Sequence, residues 1–224
     1  MVSLVPSITE TLRVWDVDPI ACTRYCEQPD LPHVGGTKNP DIDAIAGLRP
    51  DVVLVDRQEN RREDAEALAG RGVKVVTVDV RSLQGLDGEL GIIAAAVGLP
   101  PPATVEPSGP PPPIERRAFI AIWRRPWMTV AAGTYGSSLL AAVGTGNVYD
   151  DAADDFPEVT LAEAAARRPD LVLAPSEPYT FTRSQLAELA AVAPVVEVDG
   201  RDLFWWGART PAATERLRNR LARV

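Results

Sequence analysis

Short runs of consecutive apolar residues, bounded by polar segments, mark the strands of this chain. The clearest cover residues 51–55, where four apolar residues follow Asp51, and 171–174, and an unbroken run of this length is typical of a parallel strand buried on both faces. A second, mostly apolar segment follows each of them, at 73–78 (VKVVTV) and 195–198 (VVEV). The segments between the runs predict helices. Strands that alternate with helices indicate parallel βαβ units.

The same order of elements occurs twice along the chain. Residues 41–55 (DIDAIAGLRPDVVLV) align without gaps with residues 160–174 (TLAEAAARRPDLVLA), and the tripeptide Arg-Pro-Asp falls at the same place in both. One helix is predicted before the tripeptide, over 40–48 and 161–167, and another after the strand, over 61–70 and 183–192. Because the residue before proline disfavours the helical conformation, Arg49 and Arg168 are expected to end the first helices. The sequence therefore predicts an α/β protein with two duplicated βαβ lobes, whose parallel sheets are flanked by helices.

A proline-rich segment separates the two copies. Residues 99–117 (LPPPATVEPSGPPPPIERR) contain eight prolines, which cannot donate the helical hydrogen bond, so no long helix is predicted here. The predicted organisation is a lobe over 1–99, a linker over 100–116 and a lobe over 117–224. Further helices are predicted over 82–97 and 210–221. Another is expected to begin at a capping box, SITE (7–10), and to end near Val17.

The composition excludes several classes of function. The chain has 224 residues and a formal net charge of −8 at pH 7. Binding to a phosphate backbone requires clustered lysine and arginine, so we expect no nucleic acid partner. No stretch approaches the roughly 20 apolar residues of a membrane span. The first residues lack the pattern of a signal peptide, which predicts a cytoplasmic protein, or an extracytoplasmic one if a leader has been removed.

Residues that bind metals are scarce. Cys22 and Cys26 are the only cysteines and His33 is the only histidine. Two thiols alone make a poor metal site, and their spacing does not establish a disulfide, so we favour two reduced thiols and keep a disulfide as the alternative. We expect no protein-bound metal and no intrinsic cofactor.

Loops that follow the predicted strands are the best candidates for a binding site, because ligands of open parallel sheets gather at the carboxyl ends of the strands. The segments DRQEN (56–60) and PSEPYTF (175–181) occupy these places, and both are expected to border a cleft between the lobes. Four of the five tryptophans also fall in predicted loops, where aromatic side chains line binding surfaces or, alternatively, fill the seam between lobes. The candidates from this argument are Arg57, Gln58, Glu59, Asn60, Trp123, Trp127, Glu177, Tyr179, Trp205, Trp206 and Arg209.

The sequence contains no nucleophile elbow, phosphate-binding loop or dinucleotide fingerprint, which favours a binding protein over an enzyme. The alternative is a cytosolic enzyme or biosynthetic accessory protein, with Glu59 and Glu177 as its acid and base. A third interpretation is an interaction module, with its cleft closed by the four loop tryptophans.

Several segments resemble the cobalamin-binding and iron-complex-binding receptors of ABC importers, the class III substrate-binding proteins. They are VSLVPSITETL (2–12), TRYCEQP (23–29), VGGTKNPDIDAI (34–45), LRPDVVLVDRQENRRED (48–64), WRRPWMT (123–129) and FPEVTLAEAAARRPDLVLAPSEPY (156–179). The resemblance implies two α/β lobes that hold a ligand between them, here a corrinoid or similar metal chelate. It also implies that Tyr25 and Phe156 contact the ligand.

The resemblance further implies delivery of the ligand to an ABC permease. Family members carry one acidic residue for docking on the outer helix of each lobe. Asp43 fits this role in the first lobe, whereas the equivalent position in the second is Ala162, with Glu163 beside it. The long helix that joins the lobes in the family is replaced here by the proline-rich segment.

Overall fold

The computed structural model describes residues 1–106 and 109–224. The chain forms two compact units. The first contains Met1–Val80, Gln84–Glu106 and Trp206–Ala208, and the second contains Arg81–Leu83, the described part of Pro107–Trp205, and Arg209–Val224.

A parallel sheet of four strands lies at the centre of the first unit. Its strand order is β2-β1-β5-β6, and the paired strands run parallel throughout. The two inner strands are buried, and Val2, Val53 and Val55 belong to the same apolar core as Ile45 and Leu68. The strands of this unit are β1 (Val2–Ser3), β2 (Ala21–Cys22), β3 (Gly35–Gly36), β4 (Asn39–Pro40), β5 (Val53–Asp56) and β6 (Val75–Val78), of which β3 and β4 form a separate antiparallel hairpin.

The second unit contains another parallel sheet of four strands with the equivalent order, β12-β11-β7-β9. Since β7 matches β1, β11 matches β5 and β12 matches β6, the duplicated βαβ fold predicted from the sequence is confirmed. The strands of this unit are β7 (Arg116–Ile120), β8 (Trp127–Met128), β9 (Thr145–Asn147), β10 (Glu158–Val159), β11 (Leu171–Pro175) and β12 (Val195–Val198), of which β8 and β10 pair antiparallel.

Helices connect the strands in both units. In the first they are α1 (Pro6–Val14), α2 (Ile42–Gly47), α3 (Arg62–Gly70) and α4 (Leu86–Ala96). In the second they are α5 (Tyr135–Ala142), α6 (Leu161–Ala166), α7 (Arg183–Leu189), α8 (Gly200–Phe204) and α9 (Thr210–Leu221). No helix among residues 1–106 and 109–224 is long and apolar enough to cross a membrane.

The repeated tripeptide has the same backbone conformation in both copies. Arg49 has φ of 47° and Arg168 has φ of 51°, so both residues lie in the left-handed region. Each follows its helix, α2 or α6, by one further residue. The predicted helix stop before proline is therefore confirmed at both sites.

Several predicted boundaries are wrong. The helix predicted from a capping box at Ser7 instead begins at Pro6, whose fixed φ suits the first turn, and its N-cap Val5 makes no side-chain hydrogen bond. Thr9 Oγ1 donates to the Val5 carbonyl at 3.0 Å, inside the helix. The helix ends at Val14, not near Val17, because Asp16 is left-handed with φ of 57°.

Other differences concern short elements. Pro40 lies in β4 and not in the first turn of α2, which is capped by the Asp41 side chain. Trp127 lies in β8, although a loop was predicted. Helix α5, strand β9 and the short helix α8 were not predicted.

The proline-rich segment joins α4 to β7. Its described residues, 99–106 and 109–115, form neither helix nor strand. Residues 107 and 108 of the predicted linker lie outside the described part of the chain.

Candidate ligand-binding surfaces

The loops of the first unit leave its parallel sheet at one edge. Ser3 pairs with Cys22 and Leu54, and Asp56 pairs with Val78, so the chain leaves all four strands on the same side. This edge carries the loop with Tyr25 and the loop over residues 57–60. It is the place where an open parallel sheet binds ligands.

The loop after β5 is held by the carboxylate of Asp56, which is 1% exposed. Asp56 Oδ1 accepts from the backbone N–H groups of Gln58 at 2.8 Å and Glu59 at 3.2 Å, and Oδ2 accepts from Val80 N at 3.2 Å. Burial raises the pKa of Asp56, since desolvation outweighs these hydrogen bonds. The carboxylate thus fixes the loops after β5 and β6 to each other.

Asn60, a candidate ligand contact, uses its side chain within the first unit. It is 8% exposed, and its Nδ2 donates to Leu4 O at 3.1 Å and Thr37 O at 3.0 Å. Its Oδ1 accepts from Asp56 N at 2.9 Å. The side chain therefore joins three segments of this edge.

The other residues of the loop are more open. The Arg57 side chain is 68% exposed, with its Nε 3.3 Å from Asp79 Oδ2. The backbone carbonyl of Gln58 accepts from Lys38 Nζ at 2.8 Å. Arg57 is therefore an exposed cationic group of this loop.

Tyr25 presents a large aromatic surface, because it is 54% exposed. The Arg24 guanidinium lies 5.6 Å from the centre of its ring. A Cβ atom added at Gly36 would lie 2.9 Å from Tyr25 Cε2 and 2.6 Å from Asn39 Oδ1. Only glycine at position 36 allows the ring to lie this close to the hairpin.

In the second unit, a row of aromatic side chains follows β7 and β11. The Trp123 and Tyr179 rings meet edge to face at 5.2 Å, and Tyr179 lies 5.0 Å from Phe181. Phe181 stacks on Trp127 at 5.9 Å, with 18° between the ring planes. We call Trp123, Tyr179, Phe181 and Trp127 the aromatic row. Its outer member, Trp123, is 42% exposed, whereas Phe181 and Trp127 pack against the apolar core.

Helix α7 supports the aromatic row. Gln185 Nε2 donates to Tyr179 Oη at 2.9 Å. Arg124 Nη2 donates to the Glu188 carboxylate at 2.7 Å, and the Arg124 guanidinium lies 5.3 Å from the centre of the Trp127 ring. Two residues of one helix therefore support the row: Gln185 bonds directly to Tyr179, and Glu188 acts on Trp127 through Arg124.

The other two loop tryptophans are buried. Trp205 is 8% exposed and Trp206 is 3% exposed. The Arg209 guanidinium lies 5.2 Å from the Trp205 ring, and its Nη1 is 3.2 Å from Asp202 Oδ1. Arg209 is therefore held by an ion pair and an aromatic ring within the second unit.

The remaining candidates lie on the surface or partly below it. Phe156 is 40% exposed and follows Asp155, whose carboxylate is 2.8 Å from Arg81 Nη1. Glu177 is half-buried, and its backbone lies so close to Gly200 that an added Cβ there would be 2.5 Å from Glu177 O.

The two candidate docking residues lie on α2 and α6. Asp43 is 80% exposed and forms an ion pair with Arg71. Glu163 completes a capping box, in which its carboxylate accepts from Thr160 N at 2.7 Å.

Sequence reasoning missed Arg24, Phe181 and Gln185. A signal for Phe181 was present, because it lies in the same predicted loop as Tyr179, PSEPYTF (175–181). Gln185 carried only the signature of a helix cap, three residues after Thr182.

The two thiols are buried below the surface of the first unit, and the histidine is exposed. Cys22 and Cys26 are free and buried, and the hydroxyl oxygens of Thr9 and Thr23 lie 3.2 Å and 3.1 Å from Cys26 Sγ. Burial raises the pKa of Cys22 to about 12, so it is a neutral thiol at pH 7. The exposed His33 has its Nε2 3.1 Å from Gln28 O.

A pocket of about 460 Å³ opens beside β12 in the second unit. It contains three arginines, but Arg201 is paired with Asp199, and Arg216 donates to both oxygens of Asp202 at 2.6 Å. Because neighbouring carboxylates neutralise these two arginine side chains, the pocket is a weaker candidate for a ligand site than the aromatic surfaces.

Comparison with known proteins agrees with this architecture. Residues 2–103 match the periplasmic binding protein family. The vitamin B12-binding protein of Salmonella typhi is 23% identical over 191 residues, which cover 77% of this chain and 71% of that protein. The vitamin B12-binding protein of Pectobacterium carotovorum is also 23% identical, over 89% of this chain and 79% of its own.

Solved structures share the fold over nearly the whole chain. The periplasmic vitamin B12 binding protein BtuF of Vibrio cholerae has a TM-score of 0.74 at 19% identity, covering 99% of this chain and 95% of its own. The periplasmic heme-binding protein BhuT, in complex with two hemes, has a TM-score of 0.79 at 21% identity, covering 99% and 97%. Residues 2–103 are therefore similar to the periplasmic binding protein family, and nearly the whole chain shares the fold of these solved periplasmic binding proteins.

Proposed function

We propose that this protein binds a bulky, flat metal complex, with a corrinoid as the first candidate. The observation that carries the proposal is the exposure of aromatic rings where the strands of each sheet end. Tyr25 is 54% exposed in the first unit, and Trp123 is 42% exposed beside Tyr179 in the second. Exposed aromatic groups of this size favour contact with a large apolar face.

Polar groups next to these rings suit the fringe of such a ligand. The Arg57 side chain is 68% exposed, and Arg24 lies against Tyr25. A guanidinium donates several hydrogen bonds in one plane, which matches the amide and carboxylate groups around a macrocycle. Asn60 and Arg209 are held in internal hydrogen bonds and ion pairs, so we assign them to the support of the site.

The metal of the ligand would arrive already chelated. Cys22 and Cys26 are buried and Cys22 holds its proton at pH 7, so neither is suited to capture an ion from solution. The chain would then recognise the organic ring and its substituents, and the metal would belong to the ligand.

Titration with metal complexes tests this function. The wild-type protein is titrated with cyanocobalamin, with cobinamide, which keeps the corrin ring but lacks the nucleotide loop, and with hemin. Tryptophan fluorescence and the absorbance of each ring system are followed together. We expect saturable quenching with one site per chain and a dissociation constant of about 1 μM or below for at least one corrinoid, typical of a specific complex.

The three ligands separate the alternatives. Saturation by hemin alone would keep the metal-complex function and replace the corrinoid by a porphyrin. No saturable binding of any of the three would overturn the proposal. Trp123→Ala should weaken binding at least tenfold, about 1.4 kcal/mol, whereas Trp15→Phe, at the C-terminal end of α1, is the matched tryptophan control and should not.

A further inference from the structure

The side chain of Gln185 connects the start of α7 to the aromatic row. Its Nε2 donates to Tyr179 Oη at 2.9 Å, while its Oε1 accepts from Thr182 N at 2.8 Å. Both the nitrogen and the oxygen of the side-chain amide therefore form hydrogen bonds. The backbone hydrogen bond fixes the amide, and the amide in turn fixes the hydroxyl of Tyr179.

Tyr179 is the member of the row whose orientation depends most on this bond. Its ring meets Trp123 on one side at 5.2 Å and Phe181 on the other at 5.0 Å. Trp123 is 42% exposed, so part of its ring is open to solvent. If Tyr179 turned about its side-chain torsions, the edge-to-face contact with Trp123 would be lost.

The other end of the row is fixed independently. Arg124 joins Trp127 to Glu188, and Phe181 and Trp127 pack against the apolar core. Gln185 thus acts at the exposed end of the row, where a ligand has access.

We infer that Gln185 is a positioning residue, which sets the ring of Tyr179 and through it the ligand-facing orientation of Trp123. This inference rests on the proposed function for its effect on affinity, but its effect on Trp123 is independent of any ligand. A helix-capping glutamine would in this way also organise a binding surface.

Four variants separate positioning from capping. Gln185→Ala removes both hydrogen bonds of the amide, and Tyr179→Phe removes only the bond to the ring hydroxyl. Thr182→Ala is the matched control, since it removes the other half of the capping box, in which Thr182 Oγ1 accepts from Gln185 N, and leaves Tyr179 untouched. Gln185→Glu keeps an acceptor for Thr182 N and another for the Tyr179 hydroxyl proton.

Two readouts are needed. The first is the near-ultraviolet circular dichroism of Trp123, obtained as the difference between each variant and the same variant with Trp123→Phe, without ligand. The second is the dissociation constant for cyanocobalamin and for hemin. We expect Gln185→Ala and Tyr179→Phe to reduce the Trp123 signal and to weaken binding about three- to tenfold, the range for one hydrogen bond. The double variant Gln185→Ala, Tyr179→Phe should bind no more weakly than the weaker of the two single variants.

The controls decide the interpretation. Thr182→Ala should lower the unfolding temperature but leave the Trp123 signal and affinity at wild-type values, and Gln185→Glu should stay within about twofold in affinity. The inference is overturned if Thr182→Ala matches Gln185→Ala in both readouts, or if Tyr179→Phe leaves the Trp123 signal unchanged. If the wild type binds none of cyanocobalamin, cobinamide and hemin, the proposed function fails, and the ligand-free signal still decides whether Gln185 positions Trp123.

Discussion

Asn60 Nδ2 donates a hydrogen bond to the carbonyl oxygen of Leu4 at 3.1 Å, although 56 residues separate them in the chain. The bond joins the loop after β5 to the segment that leads from β1 into α1. With its bonds to Thr37 and Asp56, Asn60 closes a buried polar network at the edge of the first sheet. Buried networks of this kind stabilise a fold only when every member is satisfied.

Replacing Asn60 should therefore destabilise the first unit. Asn60→Ala leaves two carbonyl groups and one N–H without the partner that Asn60 gives them, which we expect to cost about 2–4 kcal/mol of unfolding free energy. Arg57→Ala is the control in the same loop, because an exposed ion pair contributes about 1 kcal/mol or less. Urea denaturation measures both. Equal losses in the two variants would contradict the role given to Asn60.

Gly36 should be essential for the position of Tyr25. In Gly36→Ala the new methyl group would lie 2.9 Å from Tyr25 Cε2 and 2.6 Å from Asn39 Oδ1, so the ring must shift. We expect ligand affinity to fall about tenfold or more, as binding surfaces tolerate little displacement of an aromatic anchor. Gly47→Ala, in α2, meets nothing within 4 Å and should be neutral or slightly stabilising. Affinity of Gly36→Ala at the wild-type level would show that the Tyr25 ring is not held by the hairpin.

The buried thiols should be unreactive in the folded protein. Cys22 is inaccessible and its pKa is raised to about 12 from an ordinary 9.0, so iodoacetamide at pH 8 should modify it only after urea is added. Mass spectrometry of quenched samples measures the modification. Rapid modification of Cys22 without urea would contradict the burial of this residue.

The same thiol should make stability depend on alkaline pH. Because the folded state holds the Cys22 proton more tightly than the unfolded state, its contribution is complete below about pH 9 and is lost as the pH rises toward 12. Wild type should therefore lose more unfolding free energy between pH 8.5 and about 10.5 than Cys22→Ala does. Parallel pH dependence in the two proteins would argue against the raised pKa.

The duplicated fold could be predicted because both copies repeat a local signal. A helix stop at Arg49 and Arg168 depends only on the proline that follows, and a buried strand is visible as an apolar run. These features need no knowledge of which segments meet in space. For the same reason the alternation of strands and helices along the chain followed from the sequence.

The support of the candidate surfaces could not be predicted in this way. Asn60 is a residue type that often contacts ligands. Its partners Leu4 and Thr37 are distant in sequence, so only the folded chain shows that its side-chain amide is already hydrogen-bonded. Gln185 was recognisable as a helix cap, whereas its bond to Tyr179 depends on where the preceding loop returns. A side chain's residue type indicates what it can bond, and tertiary structure decides which partner it meets.

The loop tryptophans divide by burial, and this leads to a final expectation. Trp205 is 8% exposed and lies 5.2 Å from the Arg209 guanidinium, whereas Trp123 is 42% exposed. Trp205→Ala should cost about 3–5 kcal/mol of unfolding free energy, as for other buried aromatic truncations, and should weaken ligand binding as well, because Arg209 loses its aromatic partner. Trp123→Ala should cost about 1 kcal/mol or less and act mainly on affinity.

Thermal unfolding of both variants, with and without a saturating corrinoid, separates the two effects. Were Trp205→Ala to unfold at the wild-type temperature, the residue would not hold the fold together. Were Trp123→Ala to lose stability instead, its assignment to the ligand surface would be wrong.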